Sequence, residues 1–430
     1  MLINRDLYLK QLKDKRGNGL IKVITGLRRC GKTFLLKTIY KNWLLSEGVR
    51  EDHIIYLALD QTENIRYRNP LVLDKHIKSL IGSGTDEYIV MIDEIQFSVS
   101  VPNPFIPESE QTEHNKITFY DVILGLMDRC DLYITGSNSE MLSSDIITNF
   151  RGRGDEIRMH PLSFSEYLSA ADLSESEAFK EYLRYGGMPL ILSKKGSSEK
   201  AKYLRTLFEK TYLTDIVERY GVRDTDALSR ITDYLASTIG SLLNPTNIAG
   251  QFQDNKVARN TVADYIHYLT NSYLISRASR FDIRGKEYIK GQQKYYFTDL
   301  GLRNARLNFR QFDLPHLLEN AVYNELVVRG YSVDVGRVQI KVKNSNGNYQ
   351  TAYLESDFVI NDADKRMYIQ VAEGLDDPGK KKQELKSLHH IRDGFPKMVL
   401  VNQDIPEYRT EEGIIIRSVR DFLLHPEKIA

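Results

Sequence analysis

The stretch GLRRCGKT, at residues 26–33, constrains the fold of this chain more than any other feature. It matches the pattern G-x-x-x-x-G-K-T and lies between an apolar strand-like segment and a helical one. Glycines in such a turn let backbone N–H groups curve around phosphate oxygens, and the N-terminus of the following helix adds positive potential. The motif therefore predicts a phosphate-binding loop, against the alternative of a chance match in a glycine-rich turn.

We expect a nucleotide to contact this loop and the start of the helix that follows it. Lys32 can neutralise the β and γ phosphates, and the Thr33 hydroxyl can bind Mg²⁺. The predicted nucleotide-binding residues are Gly26, Leu27, Arg28, Arg29, Cys30, Gly31, Lys32, Thr33 and Phe34.

Apolar strand-like runs recur through the N-terminal part of the chain, with helical patterns between them. The runs occupy residues 20–26, 53–59, 88–94 and 132–137. Continuous apolar strands that alternate with helices predict a parallel sheet covered on both faces. Residues 101–116 are rich in Pro, Glu and Asn, so we expect an exposed or partly disordered loop there.

Two adjacent carboxylates, Asp93 and Glu94, end the third apolar run, YIVMIDE. Ligands of open α/β sheets gather at the carboxyl ends of the strands. There Asp93 can hold Mg²⁺ and Glu94 can polarise an attacking water as a general base. The alternative is a strand that simply ends in solvent with acidic residues. The phosphate-binding loop earlier in the chain favours the catalytic interpretation.

Polar residues after the fourth run, and two arginines further on, complete the candidate site. Ser137 or Asn138 can hydrogen-bond the γ-phosphate or the attacking water, although an ordinary Ser or Asn helix cap has the same pattern. Arg151 and Arg153 can stabilise charge that develops at the γ-phosphate. The alternative for the arginines is a solvated surface pair. The sequence does not show whether either would act on its own site or on a neighbour's.

The rest of the chain turns helical and then mixed. Helices followed by two strand patterns over residues 224–304 predict a winged helix, and residues 316–416 predict a small α/β domain. The last helix of the winged-helix region has apolar side chains at positions i, i+3, i+4 and i+7, namely Val262, Tyr265, Ile266 and Leu269.

Composition limits the partners that the chain can take. With 59 basic and 58 acidic residues the net charge is +1, so any basic surface must be local. No signal peptide and no continuous apolar run of membrane-spanning length is found, so we expect a cytoplasmic protein without a membrane partner. Cys30 and Cys130 are too few for a disulfide framework and fit a reducing compartment.

The order of the motifs GLRRCGKT, VMIDE, ITGSNS, GRGDEIRMHPLSFSEYL, YGGMP and KYYFTDLGLRNA resembles a family of prokaryotic AAA+ ATPases, over nearly the whole chain. The resemblance implies ATPase activity with ATP and Mg²⁺, and rings of such proteins make a homo-oligomer a candidate state. It assigns the Walker lysine to Lys32, the Mg²⁺ residues to Thr33 and Asp93, the catalytic glutamate to Glu94, the sensor to Ser137 or Asn138, and the arginine finger to Arg153.

The resemblance also implies a fold class, α/β, and an order of domains. A P-loop AAA+ parallel-sheet domain is expected at residues 1–163 and a helical linker or lid at 164–223. A winged-helix domain is expected at 224–310. The remainder, 311–430, is expected to be a small nuclease-like α/β domain of the PD-(D/E)xK type.

Basic residues gather in the winged-helix region, which makes DNA a candidate partner. They are Lys256, Arg259, Arg277, Arg280, Arg284, Lys286, Lys290 and Lys294. Protein contacts or solvated charge are the alternatives.

The C-terminal domain carries an incomplete nuclease pattern. Nuclease-like folds of this type place an acidic residue on the first helix, an Asp on a strand, and Glu-x-Lys on the next strand. Glu319 and Asp357 fit the first two positions, but the third reads Gln370-Val371-Ala372. A neutral Gln is a poor Mg²⁺ ligand and Ala cannot position a nucleophile. We therefore expect a degenerate binding or scaffold domain in preference to an active nuclease.

The leading hypothesis is an ATPase whose hydrolysis cycle moves the middle domain against the C-terminal one, with ATP and ADP as ligands. A nucleotide switch with slow turnover is a second hypothesis, and an ATP-regulated nuclease is a third. A small-molecule kinase is disfavoured, because it would need an acceptor pocket and lid arginines.

Overall fold

A computed structural model gives the fold of the chain. It describes residues 3–81, 87–136, 150, 152–252, 257–344, 347–362 and 365–426. The chain forms two compact units. The first comprises Met1–His160 with Asn271–Tyr273, and the second comprises Pro161–Thr270 with Leu274–Ala430.

A five-stranded parallel sheet forms the centre of the first unit. Its strands are β1 (Ile21–Gly26), β2 (Ile54–Ala58), β3 (Ile89–Asp93), β4 (Asp131–Thr135) and β5 (Gly154–Met159). Their order in space is β2-β3-β4-β1-β5. The predicted α/β class and its parallel sheet are therefore confirmed, and β4 separates the strand that leads into the loop from the strand that ends in carboxylates.

The sequence pattern did not predict β5. Strands β1, β3 and β4 are buried at every position, whereas β5 buries only Ile157 and Met159. An edge strand with charged residues lacks the continuous apolar run that marks strands covered on both faces.

Helices and short helical turns connect these strands. The helices are Asp6–Lys15, Lys32–Phe34, Lys41–Ser46, Pro70–Leu80 and Phe119–Leu126. A π-helical segment, Leu35–Tyr40, joins the second and third of these. The 3₁₀ turns are Glu51–His53, Thr62–Arg68, Ile95–Phe97, Glu108–Glu110 and Glu113–Asn115. The last two lie in the segment 101–116, where Phe105 is 90% exposed, in line with the predicted surface loop.

The second unit begins with helices. They are Phe164–Ala170, Glu175–Tyr185, Gly196–Leu207, Thr214–Tyr220, Thr225–Ser237, Pro245–Ala249 and Arg259–Asn271, followed later by Leu300–Arg306, Leu314–Val328, Pro378–His390 and Val419–Leu424. A 3₁₀ turn, Pro189–Ser193, and a π segment, Phe208–Leu213, lie between them. The four apolar positions predicted for Arg259–Asn271 are all buried. Within the described ranges of both units, no helix is both long and apolar enough to cross a bilayer.

A mixed eight-stranded sheet completes the second unit. Its strands are β6 (Ile275–Asp282), β7 (Glu287–Phe297), β8 (Ser332–Lys343), β9 (Tyr349–Asp362), β10 (Lys365–Ala372), β11 (Lys397–Val401), β12 (Tyr408–Arg409) and β13 (Ile415–Ser418). Their order is β12-β13-β11-β10-β9-β8-β6-β7, and β6 pairs in parallel with β8. The hairpin β6–β7, which the sequence assigned to a wing, thus extends the sheet formed by the C-terminal strands.

One buried carboxylate joins the motifs YGGMP and FTDLG in the second unit. Asp299 accepts a hydrogen bond from the Leu302 N–H at 2.9 Å, which caps the helix Leu300–Arg306. Its other oxygen accepts from the Gly187 N–H at 2.7 Å. Gly186 has a φ of 72°, and a Cβ there would lie 2.3 Å from an Asp299 oxygen. Gly186 is therefore needed where the chain passes the carboxylate, and Gly187 is needed because a Cβ there would lie 2.2 Å from the Leu162 carbonyl oxygen.

Candidate nucleotide site

The loop at residues 26–33 leaves β1 at the carboxyl edge of the parallel sheet. Arg29 and Gly31 have left-handed backbones, with φ of 66° and 108°. Alternation of right- and left-handed residues forms a concavity of N–H groups that binds anions. At Gly26, φ is 130° and a Cβ would lie 2.0 Å from the Met159 carbonyl oxygen, so only glycine fits. The backbone therefore has the conformation that phosphate binding requires.

Lys32 lies inside this loop with 4% of its surface exposed. Its ammonium donates to the carbonyl oxygens of Gly26 at 2.9 Å and Leu27 at 3.2 Å. Thr33 and Phe34, which follow in the helix, are exposed. Lys32 and Thr33 thus offer a buried positive charge and an accessible hydroxyl next to the backbone N–H groups of the loop, which also carries Arg28 and Arg29.

Residues outside the motif hold the loop against the sheet. The Arg5 guanidinium donates to the Cys30 carbonyl at 3.3 Å and to the His160 carbonyl at 2.6 Å. The Cys30 thiol donates to the Met159 carbonyl at 3.5 Å. Burial lowers the pKa of His160 well below its ordinary value, so its ring is neutral. Sequence reasoning missed Arg5, because nothing in the motif marks a partner so far away in the chain.

Asp93 ends β3 as a buried carboxylate, 1% exposed. One oxygen accepts from the Tyr56 hydroxyl at 2.7 Å and the other from the Thr135 hydroxyl. Burial, followed by the charge of Asp93, raises the pKa of Tyr56 above its ordinary value, so this hydroxyl stays protonated and donates. Two neutral donors therefore fix the carboxylate without neutralising it.

Glu94 follows in a left-handed backbone conformation, with φ of 57° and ψ of 54°. This conformation is costly for a residue with a Cβ and is found preferentially at functional sites. The Glu94 N–H donates to the Thr135 hydroxyl at 3.0 Å, and its carboxylate accepts from the Gln96 amide. Thr135 therefore contacts both acidic residues, since its hydroxyl donates to Asp93 and accepts from Glu94.

The strand order brings the loop and the acidic pair to one edge of the sheet. Ile24 in β1 lies opposite Thr135 in β4, and Thr135 contacts Asp93 in β3. Two strand spacings, about 10 Å, thus separate the strand before the loop from the acidic pair. Thr135 was missed as a site residue, although its place at the end of β4 was the signal that could have indicated it.

Arg153 lies at the amino ends of the strands, opposite the carboxyl ends where the loop and the acidic pair lie. Its carbonyl accepts from the N–H of Ile21, the first residue of β1, and its side chain is exposed. The length of β1, about 16 Å, separates that position from Gly26. Arg153 is therefore not brought to the loop of its own chain. Ser137, Asn138 and Arg151 lie outside the described residues.

The nuclease-like positions of the second unit are arranged around a lysine. Glu319 lies 2.8 Å and Asp357 3.9 Å from the Lys294 ammonium. Gln370, in β10, contacts the backbone of β9: its amide oxygen accepts a hydrogen bond from the Asp357 N–H at 3.4 Å. The sequence groups Lys294 with the candidate DNA-contacting cations, but this lysine is only 2% exposed.

The residues at the loop fit a magnesium nucleotide. The backbone concavity and Lys32 match a polyphosphate, and the Thr33 hydroxyl and Asp93 carboxylate are oxygen ligands of the kind that Mg²⁺ prefers.

Two domain models match parts of this chain, and other proteins resemble nearly all of it. A model of the AAA domain matches residues 18–168, and a model of a domain of unknown function, DUF8612, matches residues 176–313. An uncharacterised Haemophilus influenzae protein is 32% identical over 98% of this chain and 99% of its own. An uncharacterised Methanocaldococcus jannaschii protein is 26% identical over 95% of this chain and 86% of its own. A Walker-type ATPase of Pyrococcus abyssi, 15% identical, aligns over 71% of this chain and 96% of its own with a TM-score of 0.47.

Proposed function

The chain belongs to the same family as the Haemophilus influenzae protein and carries an AAA domain, and on this premise we propose that it binds ATP with Mg²⁺ and hydrolyses it to ADP and phosphate. The observation that carries the proposal is the convergence of the loop and the Asp93–Glu94 pair at one edge of the sheet, through Thr135. A phosphate-release assay on the full chain measures the activity, and substitutions at Lys32 and Glu94 separate binding from hydrolysis.

Binding is assigned to the loop and to Asp93. The loop N–H groups and Lys32 donate hydrogen bonds to the polyphosphate oxygens, while Thr33 and Asp93 would hold Mg²⁺. When bound, the metal neutralises phosphate charge. Tyr56 and Thr135 keep the Asp93 carboxylate in place, because each donates a hydrogen bond to a different oxygen.

Hydrolysis is assigned to Glu94. Its carboxylate is half-buried and can take the proton of a water that attacks the γ-phosphorus. The left-handed backbone and the bond from the Glu94 N–H to Thr135 set the direction in which this side chain leaves the strand end. The amide of Gln96 orients the carboxylate.

Arg153 is proposed to act on the nucleotide of a neighbouring subunit. Its exposed side chain and its place at the far edge of the sheet support action between subunits over action within one chain. An arginine supplied by another subunit stabilises charge at the γ-phosphate in the transition state. The working state in this proposal is a homo-oligomer.

Mixing two inactive variants tests the arginine. Arg153→Ala is expected to lower ATP turnover by about 100-fold or more, because it removes one transition-state donor. Mixed with Lys32→Ala protein, it should recover part of the activity, since intact loops then meet intact arginines. The measurement is phosphate release against the mixing ratio.

The matched control is Arg129→Ala, which removes another exposed arginine of the same unit and should leave turnover unchanged. Wild-type turnover in Arg153→Ala would reject the assignment. Loss of turnover without recovery in the mixture would reject its action between subunits.

DNA is proposed as a partner of the hairpin β6–β7, with a smaller cationic surface than the sequence indicated. Lys256 lies outside the described residues and Lys294 is buried. Arg284, Lys286 and Lys290 are exposed near the turn, where they can contact phosphates. The expected motion of the middle domain against the C-terminal one is replaced in this proposal by motion of the second unit as a whole, because β6 and β7 share one sheet with the C-terminal strands.

A further inference from the structure

A buried ion cluster in the second unit joins β7, β9 and the helix Leu314–Val328. The Lys294 ammonium lies 2.8 Å from a Glu319 oxygen, 2.7 Å from a Glu355 oxygen and 3.9 Å from an Asp357 oxygen. The side chains of Lys294, Glu319 and Asp357 are 3%, 11% and 11% exposed. A lysine from the hairpin β6–β7 thus lies beside Glu319 and Asp357, the two carboxylates that the sequence assigns to a nuclease-like site, and beside Glu355.

Further contacts fix each carboxylate. The Tyr296 hydroxyl donates to the Glu319 oxygen at 2.6 Å that also accepts from Lys294. The Val371 N–H donates to Asp357 at 2.8 Å. A Cβ at Gly240 would lie 3.1 Å from the other Glu319 oxygen, so the segment before the hairpin also packs against this carboxylate. Glu319 and Asp357 thus each accept a hydrogen bond from a group other than Lys294.

The charges of the cluster depend on each other. Burial lowers the pKa of Lys294, but the attraction of Glu319, Asp357 and Glu355 outweighs it, so the pKa lies above its ordinary value and the amine stays charged. Burial, then repulsion from Glu319, raises the pKa of Asp357 well above its ordinary value. The ammonium is therefore the positive charge that makes burial of these carboxylates tolerable.

We infer that Lys294 is the resident cation of this site, so that its ammonium takes the place of a divalent metal and locks β7 to β9 and to the helix Leu314–Val328. The ammonium lies at hydrogen-bond distance from Glu319 and Glu355, and its charge also acts on Asp357 at 3.9 Å. Gln370 does not complete a metal shell, because its amide pairs with the Asp357 N–H and with Glu384. Among the described residues, no group of three or more His, Cys, Asp or Glu is arranged to hold a metal ion.

The lock has a structural consequence for the whole sheet. In strand order β7 is the edge strand next to β6, four places from β10. Lys294 is a direct ionic contact between this edge strand and β9, which lies three places away in that order. Removing one partner of a buried ion pair is more costly than replacing the whole pair, since the remaining charge is left without compensation.

Lys294→Met is the first test, because methionine keeps most of the length and removes the charge. The melting temperature of the second unit is expected to fall by about 10 °C, measured by calorimetry on the full chain. Trp43 is the only tryptophan and belongs to the first unit, so its fluorescence and ATP binding should not change. The matched control, Lys341→Met, removes an exposed lysine of β8 and should leave the melting temperature unchanged.

A second substitution separates charge from packing. Glu319→Gln in the Lys294→Met background removes a carboxylate charge but keeps an oxygen for Tyr296. The double variant is expected to regain a large part of the decrease in melting temperature caused by Lys294→Met. If Lys294 only fills space, the decreases caused by Lys294→Met and Glu319→Gln should add, and that result would overturn the inference.

Metal titration of the wild-type chain tests the inference without any variant of Lys294. Mn²⁺ alone, titrated calorimetrically into nucleotide-free protein, is expected to give the same heats for wild type and for Asp357→Asn. Binding or Mn²⁺-dependent DNA cleavage that Asp357→Asn abolishes would overturn it, as would an unchanged melting temperature in Lys294→Met. If Lys294→Met does not fold, this titration alone decides between the ammonium and a metal.

Discussion

Replacing Glu94 by glutamine is expected to lower steady-state ATP hydrolysis by about 100-fold or more, while ATP still binds. The amide keeps the size of the side chain and can keep the contact with Gln96, but it cannot take a proton from water. The backbone bond to Thr135 does not involve the side chain and should persist. Phosphate release and equilibrium nucleotide binding, measured on the same preparation, check the two halves of this result.

The matched control for this substitution is Glu113→Gln, an exposed carboxylate of the first unit that pairs with Lys116. It should hydrolyse ATP as the wild type does. If Glu94→Gln released phosphate at the wild-type rate, Glu94 would not be the general base. If it lost affinity as well, Glu94 would be part of the binding site.

Asp299→Ala is expected to lower the free energy of unfolding of the second unit by about 3 kcal/mol. The substitution leaves the buried N–H groups of Gly187 and Leu302 without their acceptor and opens a cavity beside Gly186. Calorimetry or denaturant unfolding of the full chain measures the loss. Trp43 fluorescence, which reports on the first unit, should show an unchanged transition.

The control for Asp299 is Asp377→Ala, which removes an exposed helix cap in the same unit. The Asp377 carboxylate accepts a hydrogen bond from the Lys380 N–H at 2.7 Å. Loss of this exposed cap should cost about 1 kcal/mol. An equal cost at the two positions would contradict the view that burial makes the Asp299 contacts strong.

Asp299 should also give the second unit a dependence on pH. Burial raises the pKa of its carboxyl from 3.8 to about 6 in the folded state. The folded state then holds the proton more tightly, so this contribution to stability is fully present below pH 3.8 and is lost as the pH rises through about 6. Asp299→Asn, which does not titrate, should lack that decline. If the difference in stability between the wild type and Asp299→Asn were constant over this pH range, Asp299 would not be the source of the pH dependence.

The parallel sheet could be predicted from sequence because its central strands are apolar throughout. Residues buried on both faces leave a continuous run that periodicity detects, as in β1 and β3. The edge strand β5 leaves no such run. Lys22 shows a second limit: it lies within β1 and pairs with Asp131, and no local pattern states which carboxylate a buried lysine will meet.

The candidate site was predictable only where its residues form a motif. The loop and the Asp93–Glu94 pair were found because the chemistry needs fixed residue types at fixed places in a strand or turn. Thr135 and Tyr56 depend on strand order, which brings β2 and β4 to either side of β3. The opposite placement of Arg153 depends on where β5 starts, and the sequence pattern had not shown that strand.

The C-terminal cluster shows why residue identity alone misleads. The sequence placed Lys294 among DNA-contacting cations and Glu319 with Asp357 in a degenerate metal site. Non-local pairing of a hairpin with a sheet brings the three together, and this pairing turns a surface charge into a buried one. Only the strand order of the whole sheet contains that information.

The affinity of the full chain for ATP after Lys32→Ala is the most direct measure of the nucleotide site. The wild type is expected to bind ATP in the presence of Mg²⁺, and the variant to lose at least about 100-fold in affinity. The reason is that Lys32 is the buried cation of the loop, with its ammonium held between the Gly26 and Leu27 carbonyls. Trp43 fluorescence of the variant should show that the first unit stays folded. An undiminished affinity in a folded Lys32→Ala protein would contradict a phosphate site at residues 26–33.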